Sequence, residues 1–223
     1  MTEMTATAAL VHTGQPSLNL SEEAVPVPSI TTASTGLLVM DLQAGILSDL
    51  PGAGALVQRV NSVLAEVRKR DMFVGVVQVA FTPEDYERIP DRNLSFSQLS
   101  RAGRLALDDP SSGPYETLAL QGNEPVFRKT RVGAFSTTNL ADSLAQRQID
   151  TLALAGVATS GVILSTVRDA ADRDFGLIVL ADCCLDRDVE VHRVLLEKVL
   201  PRQAHVLSSE EFLQALPAND PTT

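Results

Sequence analysis

The chain has 223 residues, 44% of them hydrophobic and 21% charged, with a formal net charge of −10 at pH 7. This length and composition are typical of one globular domain with a sizeable core. The acidic excess argues against nucleic acid or an anionic membrane surface as a partner, and no apolar run approaches the ~20 residues of a membrane span. The only cysteines, Cys183 and Cys184, are adjacent and offer no disulfide framework, so we expect a cytoplasmic protein.

The ends of the chain differ in composition from its middle. The first 35 residues are rich in Thr, Ala, Ser and Pro and show no periodic apolar face. We therefore interpret residues 1–35 as a flexible N-terminal arm, residues 36–217 as one domain and residues 218–223 as a tail.

Within the domain, short apolar runs alternate with segments of helical periodicity. The runs predict strands at 36–41, 72–80, 125–129, 151–155, 175–181 and 205–207. Helices are predicted over 53–70, over 138–147, from Gly161 to about Asp174, over 189–200 and after Ser208. This alternation predicts an α/β fold, a three-layer α/β/α sandwich around a mostly parallel six-stranded sheet of Rossmann type.

Polar features follow three of the predicted strands. Asp41 ends the first strand, Lys129 ends the third, and a small-residue turn from Gly156 to Gly161 follows the fourth. Free N–H groups at such a helix start bind an anion or polarise a carbonyl oxygen. Ligands of parallel α/β sheets bind at the carboxyl ends of the strands, so this edge is the predicted site. Residues 81–124, which are less regular, are expected to cover it.

These motifs resemble the isochorismatase-like (cysteine hydrolase) superfamily, which includes nicotinamidases, carbamoylsarcosine amidases and isochorismatases. The resemblance extends from Leu37 to about Leu216, nearly all of the chain except the arm. Its matching residues are 38–43, 128–135, 156–159, 166–171, Asp182, Cys184 and Asp186.

The resemblance implies a catalytic role for Asp41 and Lys129. It places the nucleophilic cysteine of the amidases at Val162, and valine has no nucleophilic atom, which excludes a thioester mechanism at this position. Isochorismatases also lack the cysteine and hydrolyse a vinyl ether with the aspartate as acid. The chain is thus expected to hydrolyse a small molecule by non-covalent Asp/Lys acid-base chemistry. N–H groups near Gly161 and Val162 would polarise the substrate, and the family often has a cis peptide at the position of Val157-Ala158.

Further residues are assigned around this expected site. Candidate substrate-binding residues are Gln43, Phe135, Arg131 and Ser160, with Arg92 as a second arginine that could pair with a carboxylate. His192 and His205 are expected away from the edge, in structural roles. The metal-binding Asp/His pattern of the amidases is missing, so we expect no metal and no cofactor. We also expect a homo-oligomer, a dimer or a tetramer, and a place in secondary metabolism.

Two alternatives remain open at this point. The chain is either an enzyme or a catalytically inactive family member that binds a small molecule or regulates another protein. A second alternative is a cysteine amidase that uses Cys183 or Cys184, although ordinary buried thiols are favoured there.

Overall fold

A computed structural model describes residues 30–218. One six-stranded, all-parallel sheet forms the centre of the molecule, with strand order β3-β2-β1-β4-β5-β6. The strands are β1 (Thr35–Met40), β2 (Phe73–Val79), β3 (Val126–Lys129), β4 (Thr151–Val157), β5 (Gly176–Leu185) and β6 (His205–Leu207). The predicted fold class is confirmed.

Helices cover both faces of the sheet. They are α1 (Ala44–Leu47), α2 (Ala53–Arg68), α3 (Pro83–Glu87), α4 (Leu94–Arg101), α5 (Leu140–Gln146), α6 (Leu164–Ala171), α7 (Val189–Val194) and α8 (Ser209–Ala215). Successive residues of β1 point to opposite faces, and they divide the core accordingly. Leu37 and Val39 pack with α2 and α8, whereas Leu38 and Met40 pack with α5 and α6. The molecule therefore has three layers.

The central strands are buried on both faces. Every residue of β1 and of β4 is buried, which explains their nearly continuous apolar sequences. The short edge strand β3 instead alternates exposed and buried residues. Continuous apolar sequences thus mark the central strands, and the alternating pattern marks the edge strand β3.

Some boundaries differ from the predicted ones. β5 continues to Leu185, past the predicted end at residue 181, so both cysteines lie inside the strand. Its pairing with β4 shifts register between Leu154 and Gly156, and this irregularity accommodates the longer strand. Residues 44–47, part of a predicted loop, form α1. The helix after β4 begins with a π-helical turn, Thr159–Ile163, before α6.

The described part of the arm begins at Ile30, whose side chain packs into the core beside α2. Residues 1–29 of the predicted arm and 219–223 of the predicted tail lie outside the described residues. Thr35, the last residue of the predicted arm, is already paired with Thr151 in the sheet. Across residues 30–218, no helix has the length and apolarity needed to cross a membrane.

Candidate active site

Asp41 stands at the carboxyl end of β1 in an uncommon backbone conformation. Its φ of 57° lies in the left-handed region, which side-chain-bearing residues seldom adopt and which clusters at functional sites. Its N–H donates to the carbonyl of Val77 in β2, at 2.9 Å, so the neighbouring strand holds the backbone in place. The buried carboxylate is thereby presented at the edge of the sheet.

A glycine brings the ends of β1 and β4 together. Gly156 has φ 149°, and a Cβ at this position would lie 2.1 Å from the carbonyl oxygen of Met40. No other residue fits this approach without moving one of the strands. The Val157–Ala158 peptide that follows is cis, as the resemblance implies. We call residues 158–163, which connect β4 to α6, the β4 turn.

Lys129 at the end of β3 forms an ion pair with Asp41. Its Nζ donates to Oδ2 of Asp41 at 2.8 Å and to the carbonyl oxygen of Arg131 at 3.2 Å. The Lys129 side chain is only 2% exposed and that of Asp41 only 8%. Two strand ends that are 88 positions apart in sequence therefore meet in one buried pair.

The Asp41 carboxyl is a protonatable group near neutral pH. Burial raises its pKa from 3.8 to about 6, and Lys129 only partly opposes this by its charge and its hydrogen bond. Oδ1, the oxygen that does not contact Lys129, has no hydrogen-bond partner among the described residues. One carboxyl oxygen is held and the other is available, which suits a group that exchanges a proton with a ligand.

A cavity of about 430 Å³ opens beside this pair. Its walls are mostly apolar. They come from the strand ends, the β4 turn, the long excursion after β2 and the segments that follow β1 and β5. The lining residues are Asp41, Ile46, Leu50, Val79, Phe96, Leu99, Arg104, Leu105, Lys129, Val132, Val157, Ala158, Ser160, Gly161, Val162, Asp186 and Arg187. The excursion thus covers the ligand end of the sheet, as its length suggests.

Val157 at the end of β4 and the predicted residues of the β4 turn, Ala158, Ser160, Gly161 and Val162, all line this cavity. Val162 is almost fully buried. At the nucleophile position the cavity is therefore lined by the branched hydrocarbon side chain of Val162.

Three predicted substrate-binding residues do not line the cavity. Gln43 is fully buried, and its side-chain amide bonds to both backbone groups of Val79 and to the carbonyl of Ser112. Phe135 packs in the core, where the guanidinium of Arg173 stacks on its ring. Gln43 therefore links the excursion to β2 by hydrogen bonds. Phe135 packs in the part of the core that lies between the sheet and the α5/α6 layer.

The arginines that line the cavity are not the two predicted from the sequence. Arg131 stacks on the ring of Phe96 and bonds to the carbonyl of Thr130, and neither Arg131 nor Arg92 lines the cavity. Arg104 and Arg187 do line it. The periodic pattern missed both because they lie in loops whose path depends on tertiary contacts.

His192 is not remote from this edge, contrary to expectation. Its Nδ1 lies 2.8 Å from Oγ1 of Thr159, the first residue of the π-helical turn. Asp186 holds the next residue, since its Oδ2 accepts from the N–H of Ser160 at 2.7 Å. His205 lies in edge strand β6. The fold brings His192 back to the turn from 33 positions further along the chain, which no local pattern reveals.

The two thiols lie in β5, outside the cavity lining. Burial raises the pKa of Cys183 to about 12 and that of Cys184 further still. Cys184 Sγ faces the carbonyl of Leu154 at 3.9 Å. A thiol so far from ionisation is a poor nucleophile, which argues against the cysteine amidase alternative. Residues 30–218 contain no group of three or more His, Cys, Asp or Glu side chains suited to a metal ion.

The all-parallel, three-layer α/β/α fold belongs to a class that solved structures also represent. A cysteine hydrolase from Pseudomonas syringae pv. phaseolicola 1448A superposes with a TM-score of 0.77 at 21% identity, covering 84% of this chain and 94% of that one. At this identity the likeness shows the fold.

Sequence comparison then gives the family. The family model described as isochorismatase domain matches residues 35–211. The uncharacterized isochorismatase family protein YecD of Escherichia coli O157:H7 is 31% identical, over 84% of this chain and 98% of the relative. Maleamate amidohydrolase of Pseudomonas putida is 26% identical, over 81% of this chain and 85% of the relative. The chain belongs to the isochorismatase family, a family of hydrolases.

Proposed function

We propose that this protein hydrolyses a small, anionic vinyl ether by general acid catalysis, without a covalent intermediate. The observation that carries the proposal is the buried Asp41 carboxyl, whose pKa burial raises to about 6 and whose Oδ1 has no hydrogen-bond partner within residues 30–218. It lies beside a nucleophile position filled by Val162. Near its pKa such a carboxyl is partly protonated and is therefore able to donate.

A vinyl ether suits this arrangement because its hydrolysis requires only a proton and water. Asp41 gives its proton to the terminal carbon of the double bond, and the positive charge that forms is shared with the ether oxygen. Water adds to the charged carbon and loses a proton, which restores the acid, and the resulting hemiketal divides into a ketone and an alcohol. No protein atom becomes bonded to the substrate.

Lys129 stabilises the ionised form of Asp41. It bonds to one carboxyl oxygen and to the Arg131 carbonyl, and an ammonium group has a third N–H to offer a substrate oxygen. Its charge stabilises the carboxylate that remains after proton transfer, which lowers the barrier to that transfer.

The arginines of the cavity favour a substrate that carries a carboxylate. Arg104 donates one N–H to the carbonyl of Gly45, so its other N–H groups remain for a ligand. The side chain of Arg187 has no hydrogen bond or ion pair within residues 30–218, and both arginines line the cavity. Guanidinium groups pair well with carboxylates, and the mostly apolar lining of the same cavity fits a hydrocarbon body.

Amide hydrolysis, the activity named for the maleamate relative, is the less suited reaction. A cysteine amidase needs a thiolate that attacks the carbonyl, and Val162 has no atom for this step. The thiols of β5 do not line the cavity. Amides therefore serve as the comparison substrates.

The test is a turnover screen with carboxylate-bearing vinyl ethers and amides of similar shape. We expect the parent protein to release ketone from a vinyl ether and to leave the amides intact. Asp41→Asn should lower kcat by ~10²–10⁴, the usual effect of losing a proton-transfer group. Asp142→Asn, on the exposed side of α5, is the matched control and should retain parental activity.

Other outcomes reject the proposal in different ways. Turnover of amides but not of vinyl ethers would show an amidase. Tight binding of the whole panel without turnover would show a small-molecule-binding protein. Full activity of Asp41→Asn on a vinyl ether would move the chemistry to another residue.

A further inference from the structure

Two side chains from the segment after β5 hold the β4 turn. Asp186 accepts from the N–H of Ser160, and His192 is hydrogen-bonded to the hydroxyl of Thr159, which is completely buried. The three residues that follow Thr159 line the same cavity as Asp41. We call these two hydrogen bonds the turn clamp.

The direction of the His192 bond follows from the surroundings of Thr159. Its hydroxyl has no second hydrogen-bond partner among the described residues. If Nδ1 of His192 carried a proton, it would donate to the hydroxyl oxygen and leave the buried hydroxyl proton without an acceptor, an arrangement that proteins avoid. With an unprotonated Nδ1, the hydroxyl donates to the ring, so the imidazole proton lies on Nε2.

The environment of the ring favours the same neutral form. Burial lowers the pKa of His192, whereas the charge of Asp186 raises it, and the net direction is downward. The ring is also placed by its helix. Asp188 caps α7 by accepting from the N–H groups of Glu190 and Val191, and its carbonyl accepts from the N–H of His192.

We propose that His192 is a positioning residue, which accepts a hydrogen bond from Thr159 and thereby fixes the cavity wall formed by the β4 turn at its distance from Asp41. The effect on turnover rests on the proposed function, whereas the hydrogen bond does not. Displacement of a substrate by about 1 Å costs on the order of 100-fold in rate, so a small movement of this wall is sufficient to matter.

The first experiment separates positioning from stability. Thr159→Val removes the hydroxyl at constant shape, His192→Leu removes the ring nitrogen, and His192→Asn keeps a polar atom close to the position of Nδ1. We expect Thr159→Val and His192→Leu to lower kcat about 10–100-fold with KM little changed. The double variant should be no worse than either single variant, and His192→Asn should recover most of the lost rate.

Thr138→Val is the matched control. Its hydroxyl donates to the carbonyl of Ala134 at 2.6 Å, outside the cavity. This variant should lower the melting temperature and keep the parental kcat. Equal losses of kcat in Thr138→Val and Thr159→Val would reduce the role of His192 to stability and overturn the proposal.

Two measurements do not require the natural substrate. Nitrogen NMR at pH 7.5 should show an unprotonated Nδ1 on His192 in the parent, and a protonated Nδ1 would overturn the proposal. In a Val162→Cys background, His192→Leu should slow alkylation of the new thiol by roughly 3–10-fold, because the orientation of the turn sets its thiolate fraction. An unchanged alkylation rate also contradicts positioning. If the protein does not hydrolyse vinyl ethers, the proposed function is wrong. The NMR and alkylation results then still test the role of His192 in the turn clamp.

Discussion

At the level of single residues, the central feature is the buried ion pair of Asp41 and Lys129, which favours catalysis more than stability. A buried ion pair often contributes less than apolar residues of the same volume, because both charges lose their hydration. The pKa of Asp41 rises from 3.8 to about 6, so protons bind more tightly in the folded state than in the unfolded one. The stabilisation from this group is complete below pH 3.8 and is lost as the pH rises through about 6.

This linkage predicts a specific pH dependence of stability. Asp41→Asn removes this titration. Between pH 4 and pH 7, the free energy of unfolding of the variant relative to that of the parent should therefore rise by about 2 kcal/mol. Urea unfolding at several pH values measures the difference. Asp85→Asn is the opposite control, since hydrogen bonds from Thr82 and Arg128 lower the pKa of Asp85 and its contribution is lost as the pH falls. A difference for Asp41→Asn that does not change with pH would contradict the raised pKa.

The nucleophile position gives a second prediction at this scale. In Val162→Cys the thiol would lie at a helix start in the cavity that Lys129 lines, where positive charge and the helix dipole favour the thiolate. We expect rapid alkylation of one cysteine by iodoacetamide, followed by intact mass. Cys183 and Cys184 are internal controls because burial keeps them protonated. If the new thiol reacts no faster than they do, the turn does not activate a group at this position.

The residues that sequence reasoning recovered share one property. Asp41 follows β1 directly and Lys129 is the last residue of β3, so a parallel sheet predicts that both lie at its carboxyl edge. The positions of Arg104 and Arg187 at the cavity could not be predicted, because tertiary contacts such as the hydrogen bond from Arg104 to the carbonyl of Gly45 determine the paths of their loops. His192 escaped prediction because its contact with Thr159 depends on how α7 packs on the turn.

At the element scale, the end of β4 is where the sheet departs most from regular geometry. The periodic pattern predicts strands and helices well because burial sets it, yet a register shift between Leu154 and Gly156 and a π-helical turn leave no periodic trace. Both irregularities lie beside the cavity. Their position suggests that they serve the site, as such features often do.

Gly156 provides the test at this scale. Gly156→Ala would place a methyl group 2.1 Å from the Met40 carbonyl oxygen, at a φ unfavourable for alanine, so we expect a loss of about 3 kcal/mol or more in the free energy of unfolding. Gly54→Ala, in α2 with open space around it, should instead stabilise by about 0.5–1 kcal/mol. Chemical denaturation of both variants decides. Equal changes in the free energy of unfolding for the two variants would contradict the close approach of β1 and β4 at Gly156.

At the scale of the whole molecule, residues 35–211 carry both the family match and the site. Ile30 packs into the core just before this region, so the core includes at least one residue of the segment predicted as an arm. The composition of residues 1–35 does not reveal this packing, because one apolar side chain creates no periodic pattern.

A truncation series tests this boundary. Removal of residues 1–29 should leave the melting temperature within about 2 °C of the parent, since that segment has no periodic apolar face. Ile30→Ala in the full chain should cost about 2 kcal/mol through the cavity it creates. A large loss of stability on removing residues 1–29, or dissociation of an oligomer, would show that the arm is an interface element.

The most direct test of the proposed mechanism follows a proton. The protein is incubated in D₂O with a vinyl ether substrate, and the ketone product is analysed by mass spectrometry and proton NMR. Because Asp41 exchanges its proton with solvent and gives it to the terminal carbon, we expect one deuterium on that carbon in each product molecule. We also expect Asp41→Asn to stop this incorporation. Ketone released by the enzyme without deuterium on that carbon, or intact mass showing an adduct on the protein during turnover, would contradict non-covalent catalysis by Asp41.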